Sequence, residues 1–270
     1  QNLVNTLNGF IWSNALILLA LGAGLFFSIK TKFVQIRLFK EMIRLLMSGT
    51  SSKLGISPFQ ALSVSLSGRV GTGNIAGVAA AIGFGGPGAI FWMWIVAFFG
   101  ASTAYIESTL GQIFKEESEG QYRGGPAYYI EKAMGAKWYA LFFAVATIIA
   151  TGILLPGVQA NSIGNAAELA LGGGEIVDTV FGPLSSTKIT TSIFVLILLA
   201  FIIFGGVKRI ASFTQVVVPF MALAYIVISL SIIGLNINRL PEIITLIIND
   251  AFTPMAGFGA AIGWGVRRGI

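Results

Sequence analysis

The sequence predicts an all-α protein that crosses a membrane several times. Three observations carry this. Of 270 residues, 55% are hydrophobic and only 10% charged, against about 25% charged in an ordinary soluble domain. Mean hydropathy is +0.84. The apolar residues gather into runs of span length separated by cationic connections, and the cations fall mostly on alternate connections. About 20 apolar residues suffice for a helix to cross a hydrocarbon core about 30 Å thick.

The first span is expected over Ile11 to Ile29. Lys30, Lys32, Arg37, Lys40 and Arg44 follow it, and among them Val34, Leu38, Met42, Leu45 and Leu46 recur at helical spacing. That pattern predicts an amphipathic helix over Phe33 to Met47 lying on the cytoplasmic surface. Next comes an apolar run from Phe59 to Phe84 whose centre, Ser65 to Val78, is wrong for a plain span. Gly68, Gly71, Gly73 and Gly77 each weaken a helix by about 1 kcal/mol relative to Ala. Arg69, Thr72 and Asn74 place polar groups at membrane depth.

Two readings of this centre stand side by side. Small residues at such spacing form helix-packing faces in membranes, here with one buried Arg. Alternatively the helix unwinds at Gly71-Thr72-Gly73-Asn74, which hydrocarbon tolerates only where the freed backbone is buried in protein or lines a polar cavity. The carbonyls ending the first half would then hold a cation, and the amides starting the second half an anion.

Gly85-Gly86-Pro87-Gly88 makes the next turn, and Ala89 to Phe114 is the third span, carrying Glu107 towards its far end. Lys115 to Lys137 reads as a polar loop. Trp138 to Leu171 is a fourth span, interrupted at Pro156-Gly157 and then lined with Gln159, Asn161, Ser162 and Asn165. Gly172 to Ser186 reads as a loop and Ile189 to Phe204 as the fifth span. Lys208-Arg209 makes a tight turn into the sixth, Val216 to Leu235, and Asn236 to Asp250 reads as a polar connection. A seventh apolar stretch, Phe258 to Ile270, resembles Phe59 to Gly71: small and apolar residues, then Arg, then Gly. By the alternation it runs the opposite way, as in inverted repeats, so the chain is expected to be a fragment of a longer protein.

If the connection after the first span is cytoplasmic, the inner side carries twelve of the seventeen Lys and Arg, and the outer side only Lys188 and Arg239. This skew puts the N-terminus outside, in a cell (inner or plasma) membrane. It also accounts for the net charge of +6, which therefore does not imply a nucleic-acid partner. The expected segments are an extra N-terminal span over 1–32 and the amphipathic helix over 33–50. A five-helix repeat covers 51–235, and an outer connection with the start of a second repeat covers 236–270.

The chain has no cysteine and no histidine, which removes thiolate or imidazole nucleophiles, disulfides and the usual zinc ligands. No enzyme activity is expected. Gly71-Thr72-Gly73-Asn74-Ile75-Ala76 matches a dinucleotide-binding pattern in letters only, because it follows a membrane span and no acid comes before Glu107. Trp92 and Trp94 are read as interfacial aromatics. Glu107 is either a coupling carboxylate or a structural ion pair. Gln159 and Asn161 either bridge helices or face a cavity. Arg69 is expected to tie the broken helix to neighbouring carbonyls.

Several of these motifs together resemble one family. Gly85-Gly86-Pro87-Gly88-Ala89-Ile90-Phe91-Trp92-Met93-Trp94 is similar to the signature of the sodium:alanine symporters. Gly71-Thr72-Gly73-Asn74-Ile75-Ala76-Gly77, Gly124-Gly125-Pro126-Ala127-Tyr128-Tyr129-Ile130-Glu131-Lys132 and Gly265-Val266-Arg267-Arg268-Gly269 look like further family motifs. The resemblance implies a leucine-transporter type of fold built on five-plus-five inverted repeats. Here that fold would give the first repeat and the start of the second, about six full spans and one partial. It implies sodium-coupled symport of a small neutral amino acid, alanine or glycine, with sodium as coupling ion and no other cofactor. Carried over in the same way, Thr72, Gly73 and Asn74 bind the substrate carboxylate, Gln159 faces the substrate, and the carbonyls of Ser67 and Val70 contribute to a sodium site. The alternative reading is an amino-acid or ion channel with the broken helix as its filter.

Overall fold

In the computed structural model, the described residues are Thr6 and 14–49, 54–118, 120–180 and 182–253. In chain order the helices are α1 Asn14–Lys30, α2 Val34–Arg37, α3 Phe39–Ser48, α4 Pro58–Arg69, α5 Val78–Gly85, α6 Ala89–Ile113, α7 Pro126–Met134, α8 Lys137–Thr147, α9 Leu155–Leu171, α10 Ser186–Ile203, α11 Gly206–Leu235 and α12 Leu240–Asp250. Widened π-helical runs, Gly73–Gly77 and Ile148–Leu154, precede α5 and α9, and a 3₁₀ turn, Ile237–Arg239, precedes α12. Two antiparallel hairpins interrupt the helices: β1 Glu116–Ser118 with β2 Gln121–Arg123, and β3 Ile176–Thr179 with β4 Gly182–Ser185.

Four stretches among the described residues are long and apolar enough to cross a membrane: Ala89–Ile113, Lys137–Leu171, Ser186–Ile203 and Gly206–Leu235. With them the chain is a polytopic membrane protein. Ala15–Lys30 and Gly73–Gly85 are shorter apolar helices. The expected start of the first span lies outside the described residues. The glycine-broken span is divided, so neither half alone reaches span length.

The chain separates into two compact units. Described residues of the first are 14–49, 73–113 and 220–253, and those of the second are 54–72 and 114–219. In the first, α1 packs along α6 through small residues. Gly24 meets Phe99 so closely that an added Cβ would lie 2.8 Å from the Phe99 Cβ, and Ser28 and Ser102 are wholly buried. Membrane helices pack through small residues because lipid offers no hydrophobic drive between them, so close backbone approach supplies the attraction. In the second unit α9 packs along α10. There Gly164 leaves room for the Lys188 stem, whose ammonium pairs with Glu168 at 2.9 Å.

Several expectations require correction. The 115–137 connection is not a plain loop: it folds as the β1–β2 hairpin and α7, tied together by Lys132 to Glu116 at 2.7 Å. The 172–186 loop holds the β3–β4 hairpin. The amphipathic segment is two helices meeting at Leu38 (φ −101°, ψ 10°). The turn into α11 lies at Phe204-Gly205-Gly206, not at Lys208-Arg209. Gly206 takes φ 74°, a left-handed value that suits glycine, and Lys208 and Arg209 sit in the first turn of the helix, the Arg209 guanidinium 4.0 Å from the Phe201 ring centre. The connection 236–250 is mostly helical, because Ile243, Ile244 and Ile247 recur on one face of α12. In the fourth span the irregularity lies ahead of Pro156. Proline has no amide hydrogen and its ring crowds the carbonyl four residues back. That residue is Gly152, and the helix widens around it over Ile148–Leu154. The stretch Phe258 to Ile270, with Arg267 and Arg268, lies outside the described residues.

Candidate substrate and cation site at the broken helix

The break is built from local sequence. Helix α4 starts on a capping box: the Ser57 hydroxyl accepts from the Gln60 amide at 3.2 Å, the Gln60 side chain accepts from the Ser57 amide at 3.0 Å, and Pro58 occupies the first turn. It ends at Arg69. The Val70 amide donates to the Leu66 carbonyl at 2.8 Å, but Val70 itself is extended (φ −100°, ψ 107°). The ladder stops there, and a helix end releases its last carbonyls from intrahelical bonds. Ser67 and Val70 both lie in this terminal turn. The Ser67 hydroxyl donates to the Val64 carbonyl at 2.7 Å.

Three residues beyond the helix, Thr72 is held by a side chain distant in sequence. Its hydroxyl donates to the Gln159 Oε1 at 2.5 Å, and its amide points to the same oxygen at 3.4 Å. The Gln159 amide nitrogen lies against Gly71, where an added Cβ would come within 2.9 Å of it. A side chain at 71 would push the Gln159 amide away from this position. Gln159 itself sits in the first turns of α9, directly after the π run and Pro156, in the second unit with Thr72. The structure thus brings Thr72 and Gln159 together.

Gly73 and Asn74 continue the chain into the first unit, where they open the π run that leads to α5. Both are exposed. The amides of this opening turn have no carbonyl four residues back within their own helix, as at any helix start. The run from Phe59 to Phe84 is therefore interrupted, not a continuous packing face.

The other candidates differ from expectation. Arg69 is exposed and makes no hydrogen bond to a carbonyl among the described residues. Glu107 is exposed and in no ion pair among them. Trp94 is exposed, but Trp92 is part-buried and donates its indole N–H to the Ala251 carbonyl. That contact belongs to a clamp missed in the sequence. The Gly88 amide donates to the Asp250 carboxylate at 2.9 Å, and Gly86 and Gly88 lie too close to Asp250 and Ala251 to carry a side chain. The signal was available: the isoleucines before Asp250 have helical spacing, so that residue ends a helix with an apolar face.

Comparison with known proteins agrees with the motif reading. The chain matches the sodium:alanine symporter family over residues 1–270. It is 54% identical over 271 residues to YrbD of Bacillus subtilis, provisionally described as a sodium/proton-dependent alanine carrier, covering 99% of this chain and 53% of that protein. It is 42% identical to GlnT of the same organism, provisionally described as a sodium/glutamine symporter, covering 100% of this chain and 55% of GlnT. Identity to the sodium/alanine symporter AgcS of Methanococcus maripaludis is 37%, over 100% of this chain and 59% of AgcS. The chain spans about half the length of the curated relatives it matches. On the full-length family match and the signature from Gly85 to Trp94, the chain belongs to the sodium:alanine symporter family.

Proposed function

We propose that this chain supplies the first half of a sodium-coupled symporter for a small neutral amino acid, with its N-terminus outside the cell membrane. The observation that carries the proposal is the end of α4 at Val70 with Thr72 tethered to Gln159. Carbonyls at a helix C-terminus carry partial negative charge and amides at a helix start carry partial positive charge. The Ser67 and Val70 carbonyls accordingly contribute to holding sodium. Thr72, Gly73 and Asn74 hold the substrate carboxylate, and Gln159 presents its amide to the substrate. Transport needs no bond-making chemistry: sodium binding favours the state with higher amino-acid affinity, and the loaded site is then exposed to the other side. Alanine or glycine is the proposed substrate.

The test is uptake of labelled amino acids by the full-length protein in proteoliposomes, with alanine, glycine and glutamine compared. Glutamine is included because a relative 42% identical is named for it. Sodium-gradient-driven accumulation of alanine or glycine is the expected result. Equal uptake with and without the gradient would refute sodium coupling, and substrate-independent current would favour a channel.

A further inference from the structure

The segment after α1 presents an amphipathic surface that the rest of the described chain leaves uncovered. On α3 the apolar residues Phe39, Met42, Ile43, Leu45, Leu46 and Met47 fall on one broad arc of the helix, and Lys40, Glu41, Arg44 and Ser48 on the other. No residue of α3 is buried. Five cations, Lys30, Lys32, Arg37, Lys40 and Arg44, face one carboxylate, Glu41, across this segment. Arg44 holds that carboxylate in a two-pronged pair, 2.8 and 2.5 Å.

The corner that delivers this surface is built and fixed. Lys32 and Phe33 both adopt left-handed backbone, φ 54° and 51°, which is uncommon for residues other than glycine and costs of the order of 1–3 kcal/mol each. A polar knot holds them there. The Phe33 amide donates to the Ser28 carbonyl at 2.6 Å, and the Gln35 side-chain amide donates to the Ser28 hydroxyl at 3.0 Å. That hydroxyl donates to Ser102 on α6 at 3.0 Å, and the single Ser102 hydroxyl hydrogen is shared between the Gly24 and Phe99 carbonyls, both 2.8 Å away. Val34 is buried beside the corner. The chain is therefore turned off the line of α1 at a fixed place, within one unit, and the amphipathic surface is attached to the α1–α6 pair.

We propose that α2 and α3 form a docking surface for anionic phospholipid headgroups, with the apolar arc of α3 in the acyl boundary and Arg37, Lys40 and Arg44 at the phosphate level. The charge excess and the two-sided distribution fit that occupant. Each Lys or Arg near such a surface raises the preference for anionic lipid about fivefold.

The experiment uses the full-length protein in nanodiscs of phosphatidylcholine with or without phosphatidylglycerol. Spin labels are placed on single cysteines introduced at Ile43 or Ser48 in a cysteine-free background. The Ile43 label should be reached by oxygen and not by a water-soluble nickel chelate, and the Ser48 label the reverse. Phosphatidylglycerol should be enriched around the protein over phosphatidylcholine, and Lys40→Gln should reduce that enrichment about fivefold. A label at Ile43 shielded from both reagents would mean that the rest of the protein covers the arc, and would overturn the proposal. So would lipid enrichment unchanged in Lys40→Gln together with Arg37→Gln.

Discussion

Replacing Gly71 by Ala tests whether the Gln159 amide is positioned by the backbone of the break. The new Cβ would stand 2.9 Å from the Gln159 nitrogen, where ordinary contact begins at 3.4 Å, so the amide must retreat by the difference, about 0.5 Å. The Thr72 amide, already 3.4 Å from the Gln159 oxygen, then falls out of bonding range. The hydroxyl, starting from 2.5 Å, keeps its bond. One net hydrogen bond of about 1 kcal/mol is lost, about fivefold in an equilibrium constant. Gln159→Ala removes both bonds and should cost about 2 kcal/mol by the same measure.

The assay is equilibrium binding of labelled alanine to the purified full-length protein at saturating sodium, with thermal unfolding measured alongside. Alanine affinity should fall about fivefold in Gly71→Ala and about thirtyfold in Gln159→Ala, because each lost bond holds the free site in the arrangement that binds and its loss lowers the population of that arrangement by the same factor. Gly68→Ala is the control, since nothing lies within 4 Å of a Cβ added there. A Gly71→Ala protein that folds and binds alanine as tightly as the parent would refute the reasoning. So would an equal loss in Gly68→Ala.

Gly88→Ala should unfold the clamp on Asp250 and Ala251, lowering stability by about 2–4 kcal/mol as an overpacked site with no room to yield; Gly83→Ala, in open space, should be tolerated, as thermal melts would show. Ser102→Ala leaves the buried Ser28 hydroxyl without its acceptor and should cost about 1–3 kcal/mol, read from the same melts. The Arg44 hydrogen bonds hold the Glu41 carboxyl below its usual value of 4.5. A depressed carboxylate stabilises the fold above the unfolded pKa and loses that contribution as pH falls through the folded one. The mobility of a label on α3 should therefore be flat from neutral pH down to about 4.5 and rise below it, whereas Glu41→Gln should remove that step.

The four crossing stretches from Ala89 to Leu235 were legible because lipid imposes one requirement, an apolar run of fixed length, and the sequence records it directly. The break was legible as one of two readings: four glycines, Arg69, Thr72 and Asn74 suit either a packing face or an unwound turn, and the end of α4 at Val70 decides for the second. Its partner Gln159 was visible only as a polar residue after a proline. That it reaches Thr72, 87 positions away, depends on packing that no local pattern records. The short hairpins at 116–123 and 176–185 were hidden, since strands of three or four exposed residues carry too little alternation to stand out from loop. The left-handed corner at Lys32 and Phe33 had no glycine to announce it. Which residues of the interruption meet a substrate has no local signature, and the assignment of Thr72, Gly73 and Asn74 rests on the family resemblance alone.

The π run Ile148–Leu154 fixes more than the shape of one helix. Each residue of an α-helix advances the chain by about 100° around its axis. A wide turn is in effect a register insertion, and removing a single residue from it would let the ladder close as ordinary α-helix. The wide turn holds one residue more than an α turn while leaving the helix beyond it in nearly the same phase, so Gln159 keeps the side that meets Thr72. A one-residue deletion inside the run is therefore absorbed as the ladder closes, whereas the same deletion between Pro156 and Gln159 would turn Gln159 about 100° away from Thr72 and undo the tether.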